Sequence, residues 1–112
     1  MKINKENAEH YIWKDVCDGW FLVNDDEKSI IEERMPPNTK EDMHYHKKSR
    51  QFFYIIRGKA LMKLDNEDID MEEGDGIAIE PYKWHQMTNP FEEDVKFIVF
   101  SSPKSHGDKF LN

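Results

Sequence analysis

The sequence alternates short runs of β-forming residues with clusters of turn-forming residues, and this spacing restricts the fold more than any other feature. Aromatic and β-branched residues dominate the runs, and Gly, Pro, Asn and Asp interrupt them every eight to twelve residues. A long stretch with the 3.6-residue apolar period of an amphipathic helix is hard to find. We therefore predict an all-β protein with strands at 20–23, 30–35, 43–46, 52–57, 60–64, 76–80, 85–88 and 95–100.

Two segments outside these strands allow more specific expectations. The first dozen residues fit either a helical turn capped by Asn4 or an extended lead-in strand, and the sequence does not decide between them. The acidic stretch 67–75 alternates with Ile69 and Met71 and lacks the ligand spacing of a calcium loop. We expect this stretch to be the solvated face of a hairpin.

Size and charge exclude several classes of protein. The chain has 112 residues, enough for one domain, and we treat 1–112 as a single domain. With 16 Lys and Arg against 23 Asp and Glu, its formal charge of −7 would repel phosphate backbones and anionic lipids, so we expect neither nucleic acid nor membrane partners. No apolar run approaches the roughly 18 residues of a membrane helix, and the start lacks the pattern of a signal peptide. We therefore expect a cytoplasmic protein.

Cysteine usage limits the chemistry of any metal site. Cys17 is the only cysteine, so neither an internal disulfide nor a thiolate zinc cluster can form. A bound metal would need nitrogen and oxygen ligands.

The run 52–56 is apolar on both faces of the strand that it is predicted to form. A strand of a small barrel needs only its inner face to be apolar. The outer side chains Phe52, Tyr54 and Ile56 therefore favour a homodimer in which a second subunit covers them. A central strand enclosed within one chain is the alternative.

Four side chains have the types and spacing of a metal site. His44 and His46 are separated by one residue, so on a strand both imidazoles project from the same face. Gln51 follows five residues later, and His85 lies beyond another turn. Three imidazoles and one amide oxygen leave coordination positions open for water or substrate.

The same residues resemble the two sequence motifs of the cupins. The first motif, Gly-x5-His-x-His-x3-4-Glu-x6-Gly, matches residues 38–58, and the second, Gly-x5-Pro-x-Gly-x2-His-x3-Asn, matches residues 74–89. The resemblance implies a double-stranded β-helix, or jelly-roll barrel, of two antiparallel sheets. It also implies a divalent metal in the lumen and, commonly, a dimer. The metal ligands that it implies are His44, His46, Gln51 and His85.

The sequence departs from the motifs at four positions. Asn38 replaces a glycine and can adopt the left-handed backbone conformation. Glu80 and Tyr82 replace a proline and a glycine, so this loop is expected to differ in shape, with Tyr82 directed toward the barrel mouth. Gln51 replaces a glutamate and leaves the full charge on the ion, which strengthens its Lewis acidity and disfavours a ferric state. Zinc or nickel is favoured, with iron, manganese and copper behind them.

Four further residues are candidates for binding a substrate: Phe53, Met87, Tyr82 and His106. The first two would line a soft apolar pocket suited to a small hydrophobic or aromatic molecule. Tyr82 would stand at the entrance. His106 lies in a segment that either folds over the barrel mouth or forms an exposed tail.

The sequence leaves the activity open between three hypotheses. In the first, the metal polarises an oxygen of an aromatic or polyketide-like substrate in a cyclase, isomerase, lyase or dioxygenase reaction. In the second, the protein binds or senses a small molecule without turnover. The third is a metal-free barrel similar to sugar-nucleotide epimerases, although the three-histidine spacing speaks against it.

Overall fold

The fold consists of ten β-strands without a helix in a computed structural model that describes all residues 1–112. The predicted all-β class is therefore confirmed. The strands are β1 (Glu9–Trp13), β2 (Cys17–Asn24), β3 (Ser29–Met35), β4 (Thr39–Lys40), β5 (Arg50–Arg57), β6 (Lys59–Leu64), β7 (Glu67–Glu72), β8 (Gly76–Ile79), β9 (His85–Asn89) and β10 (Val95–Ser102).

The strands form two antiparallel sheets, as the resemblance implied. The six-stranded sheet has the order β1-β2-β3-β10-β5-β8, and the four-stranded sheet has the order β4-β9-β6-β7. Within the first sheet, β10 pairs with both β3 and β5, so strands far apart in the sequence become neighbours. The two histidine motifs meet through other pairings, in which β4 pairs with β9 and β5 pairs with β8.

Side chains alternate between the core and the outer surface along β5. Gln51, Phe53 and Ile55 are buried, whereas Phe52 and Tyr54 between them are each 44% exposed. The predicted parity of this strand is thus confirmed. The inner side chains of both sheets form one apolar core: Cys17, Met35, Phe53, Ile55, Ala60, Met62, Met71, Ile79, Met87, Val95, Phe97 and Val99.

The N-terminal segment contains both of the alternatives that the sequence allowed. The Asn4 side chain accepts hydrogen bonds from the backbone N–H groups of Glu6 and Asn7 and so caps a turn. Strand β1 then begins at Glu9 and pairs with β2. The chain therefore first turns and then extends.

The predicted strand at 43–46 is shorter than expected. Only two isolated bridges form there, between His44 and His85 and between Tyr45 and Phe110. The reason is that adjacent residues pair with different partners, so no continuous ladder can develop. The expected hairpin with an acidic outer face is confirmed in β6 and β7, where Met71 is buried and the carboxylates point outward.

Two loop positions have the left-handed backbone that the cupin motifs assign to glycine. Asn38 has a φ of 63°, in agreement with the prediction, and Tyr82 has a φ of 70°. At the position where the motif has glycine, Tyr82 thus adopts a backbone region that favours glycine although its side chain is large.

Candidate metal centre and adjoining cavity

The structure brings together all four residues that were predicted to hold a metal. His44 and His85 exchange two backbone hydrogen bonds, of 3.0 and 2.8 Å, which fix the two motifs against each other. His46 and Gln51 lie beside them, and all four side chains are buried. One potential ligand nitrogen from each of the three histidines lies within 4.8 Å of the other two.

Backbone carbonyls determine which ring nitrogen of each histidine carries its proton. His44 Nδ1 lies 2.6 Å from the Asp42 carbonyl oxygen, and His85 Nδ1 lies 2.9 Å from that of Lys83. His46 Nδ1 contacts the Asp108 carbonyl. A carbonyl oxygen only accepts, so each Nδ1 must donate and each Nε2 keeps a free lone pair.

The free lone pairs meet at a point where nothing supplies a proton. The Nε2 atom of His46 is buried without a hydrogen-bond partner. Gln51 donates from Nε2 to the Ser101 hydroxyl at 2.9 Å, and its amide oxygen then lies 3.1 Å from His85 Nε2. Two acceptors that face each other call for a cation between them. The residues therefore fit a divalent metal held by three nitrogens and an amide oxygen.

Burial keeps two of these imidazoles neutral. Burial and, to a smaller extent, the nearby His85 together lower the pKa of His44 to about 3. Burial likewise lowers the pKa of His85 to about 4. Because only the neutral ring can ligate, these two side chains are ready to bind a metal at neutral pH.

A cavity of about 660 Å³ is lined by His44, His46 and Gln51 of the candidate metal centre. Two of the four predicted substrate-binding residues, Phe53 and His106, line it. Met87 instead packs in the core with no exposed surface, and Tyr82 is 63% exposed and stacks on Tyr45 outside the cavity. The remaining wall residues come mainly from β1, β2, β3 and the C-terminal segment: Glu9, Tyr11, Trp13, Phe21, Asn24, Ser29, Ile31, Glu33, Glu41, Val99, Lys104, Ser105, Gly107 and Lys109, together with His44, His46 and Gln51.

The acidic side chains Glu33 and Glu41 of this wall were not predicted from the sequence. The Tyr11 hydroxyl donates to the Glu33 carboxylate at 3.1 Å. The tyrosine ring reaches across β2 because Gly19 has no side chain: a Cβ there would lie 2.2 Å from the ring. The alternation of side chains along β3 could have predicted the position of Glu33, since it lies on the same face of the strand as Ile31 and Met35, which also point inward.

Glu33 and Glu41, whose side chains are partly exposed to the cavity, have carboxyl groups with raised pKa values. Burial raises the pKa of Glu33 to about 7, although the Tyr11 hydrogen bond opposes this shift. Burial also raises the pKa of Glu41 to about 8, and the charge of Glu33 adds to the effect. Glu41 Oε1 is buried without a hydrogen-bond partner. The cavity therefore combines apolar walls with carboxyl groups that exchange protons near neutral pH.

The chain belongs to the cupin family. The family described as Cupin domain matches residues 31–101, a region that contains the four candidate ligands and most of both sheets.

Two relatives in sequence were found. An uncharacterized protein of Methanocaldococcus jannaschii is 35% identical over 82 residues, which are 72% of this chain and 66% of that protein. The polyketide synthase CurC of Streptomyces cyaneus is 28% identical over 69 residues, which are 62% of this chain and 45% of that protein. The chain thus spans less than two thirds of the length of either relative.

Among solved structures, the polyketide cyclase RemF from Streptomyces resistomycificus has the same fold. It aligns with a TM-score of 0.80 and 15% identity over 91% of this chain and 78% of that chain. At this identity the likeness concerns the fold alone.

The structure contains no membrane-spanning helix.

Proposed function

We propose that this cupin binds a divalent metal through His44, His46, Gln51 and His85 and acts on a small oxygen-containing molecule in the adjoining cavity. The observation that carries this proposal is the convergence of three imidazole Nε2 lone pairs that have no proton donor at the edge of a 660 Å³ cavity. Zinc and nickel suit three neutral nitrogen ligands with one amide oxygen best, and iron, manganese and copper are less favoured.

The bound ion would polarise a carbonyl oxygen of the ligand. A side chain of the protein, Glu33, would transfer the proton. Since its pKa is about 7, Glu33 is ionised in about half of the molecules at neutral pH and can remove a proton from a carbon next to the carbonyl. The C–H bond breaks, its electron pair remains on the substrate as an enolate, and the proton passes to the Glu33 carboxylate. Return of this proton to another carbon would complete an isomerisation. In a ring closure, the enolate carbon would instead form a C–C bond with a second carbonyl carbon of the substrate, the C=O π electrons would move to that oxygen, and Glu33 would return the proton to this new alkoxide.

We propose a substrate with several carbonyl or phenol oxygens on a flat skeleton, of the polyketide type. The aromatic wall residues Tyr11, Trp13, Phe21 and Phe53 suit a flat molecule. Glu33 and Glu41 can bind its hydroxyl groups. The names of the relative CurC and of the structural neighbour RemF agree with this class.

Metal analysis combined with isotope exchange tests the proposal. We expect about one divalent ion per chain after purification without chelator. The loaded protein should also speed deuterium uptake from D₂O at the carbon between the carbonyls of a 1,3-diketone probe, followed by NMR. His85→Ala should lose the metal and the exchange, whereas Glu33→Gln should keep the metal and lose the exchange.

Three outcomes of this experiment would change the proposal. Absence of metal in the purified and in the zinc-supplemented protein would refute it. Metal without either diketone binding or exchange would refute the proposed substrate class. Metal with diketone binding but no exchange would refute the acid–base role of Glu33 and indicate a module that binds or senses small molecules.

We further propose that the protein is a homodimer. The outer side chains Phe52, Tyr54 and Ile56 of β5 are between 38% and 44% exposed. Phe52 pairs in register with Phe100 on β10, which is also exposed, so the four side chains form one apolar patch across neighbouring strands. A second subunit that covers this patch would remove it from water.

A further inference from the structure

We infer that Asp108 is a positioning residue for His46, so that the C-terminal strap, residues 105–112, forms part of the metal site. This inference rests on the proposed metal-binding function. It assigns a role to a segment that lies outside the region 31–101 matched by the cupin family.

His46 differs from the other two histidines in the source of its carbonyl partner. His44 and His85 each use the carbonyl two residues earlier in the chain, those of Asp42 and Lys83. The equivalent carbonyl for His46, that of His44, accepts the backbone N–H of His85 at 2.8 Å. The carbonyl that His46 Nδ1 contacts is instead that of Asp108, 62 residues away.

The side chain of Asp108 holds this carbonyl in place. Its two carboxylate oxygens accept the backbone N–H groups of Lys47, Lys48 and Ser49 at 3.0, 2.9 and 2.8 Å. These three residues form the loop that joins His46 to β5, which carries Gln51. One aspartate thus clamps the loop with its side chain and orients the histidine ring with its main chain.

The rest of the strap secures the clamp. Tyr45 and Phe110 exchange two backbone hydrogen bonds, of 3.1 and 3.0 Å, and their rings stack with 5.5 Å between centroids. The Lys47 ammonium lies 4.2 Å from the centroid of the Phe110 ring. The segment 44–46 is therefore held on one side by β9 and on the other by the strap.

The test compares Asp108→Ala and Asp108→Asn with a matched control, Asp68→Ala. Asp68 is exposed on β7, so the control removes the same charge away from the strap. Zinc and cobalt affinities are measured by competition with a chromophoric chelator on the full-length protein. We expect a loss of about 10- to 100-fold for Asp108→Ala, the usual effect of removing an outer-shell partner, and no change in the control. Asp108→Asn should lose less, because its amide oxygen still accepts part of the hydrogen bonds.

A second measurement separates positioning from a merely structural role. In the metal-free wild type, the ¹⁵N chemical shifts of the His46 ring should report a proton on Nδ1. In both Asp108 variants we expect a mixture of tautomers. Should Asp108→Ala not fold, Asp108→Asn decides the question.

Two results would overturn the inference: equal zinc affinity in wild type and Asp108→Ala, or weaker affinity with the His46 tautomer unchanged. The proposed function fails separately, if the wild type binds neither zinc nor cobalt. The tautomer measurement on the metal-free protein would then still test the role of Asp108.

Discussion

Replacing Glu33 by Gln should make the metal-free protein more stable at alkaline pH. Burial raises the pKa of Glu33 from 4.5 in the unfolded chain to about 7 in the folded protein. Between these values the folded state holds a proton that the unfolded state has lost. The contribution of Glu33 to stability is therefore fully present below about pH 4.5 and is lost as the pH rises through 7.

The size of the effect follows from the shift. At 1.36 kcal/mol per pKa unit, a rise from 4.5 to about 7 corresponds to about 3 kcal/mol, of which about 2 to 3 kcal/mol should be lost between pH 5 and pH 8.5. Glutamine has nearly the same shape, its amide oxygen still accepts the Tyr11 hydroxyl, and it does not titrate. Glu33→Gln should therefore keep the part of the free energy of unfolding that the wild type loses through Glu33.

Urea unfolding in the presence of EDTA at pH 5, 7 and 8.5 measures the difference between the two proteins. The contributions of His44 and His85 have the opposite sign, because their lowered pKa values cost stability as the pH falls below about 6.5. They act in both proteins and cancel in the comparison. Glu67→Gln, at an exposed position of β7, removes the same charge and should change the free energy of unfolding by less than about 0.5 kcal/mol.

A parallel loss of stability in the wild type and in Glu33→Gln from pH 5 to pH 8.5 would refute the raised pKa of Glu33. A smaller loss of stability with Glu41→Gln, and none of this effect with Glu33→Gln, would show that Glu41 and not Glu33 carries the pH dependence.

Three further predictions concern the metal and the assembly. Zinc at 100 times its dissociation constant should raise the free energy of unfolding by about 2.7 kcal/mol in thermal or urea unfolding, and His85→Ala should abolish this gain; a gain that survives the substitution would contradict the ligand set. Gln51→Glu should keep the fold and tighten zinc binding in chelator competition, because a carboxylate cancels part of the charge on the ion, whereas unchanged affinity would mean that the amide does not reach the metal. Tyr54→Lys should convert a dimer into a monomer in light scattering after size exclusion, and a monomeric wild type would rule out the proposed dimer.

Most strands and the candidate ligand set could be predicted from the sequence because they depend on local patterns. Alternation placed Gln51, Phe53 and Ile55 on the inner face of β5, and turn residues marked most strand ends. The spacing of the histidines placed His44 and His46 on one face, and the cupin motifs added His85 and Gln51. The strand at 43–46 was predicted too long, because local pattern does not reveal that adjacent residues pair with different segments.

The cavity wall and the second sphere of the site emerged only from the three-dimensional arrangement of the chain. Tyr11 meets Glu33 across 22 residues because Gly19 on the strand between them leaves room for the ring. His46 meets Asp108 across 62 residues because Tyr45 pairs with Phe110 and so brings the C-terminal strap beside the histidine. Neither contact has a period or a motif in the sequence. Both contacts depend on which segments lie beside each other, and the packing of the whole barrel determines this. The raised pKa of the Glu33 carboxyl group depends in addition on how far that packing excludes water from it.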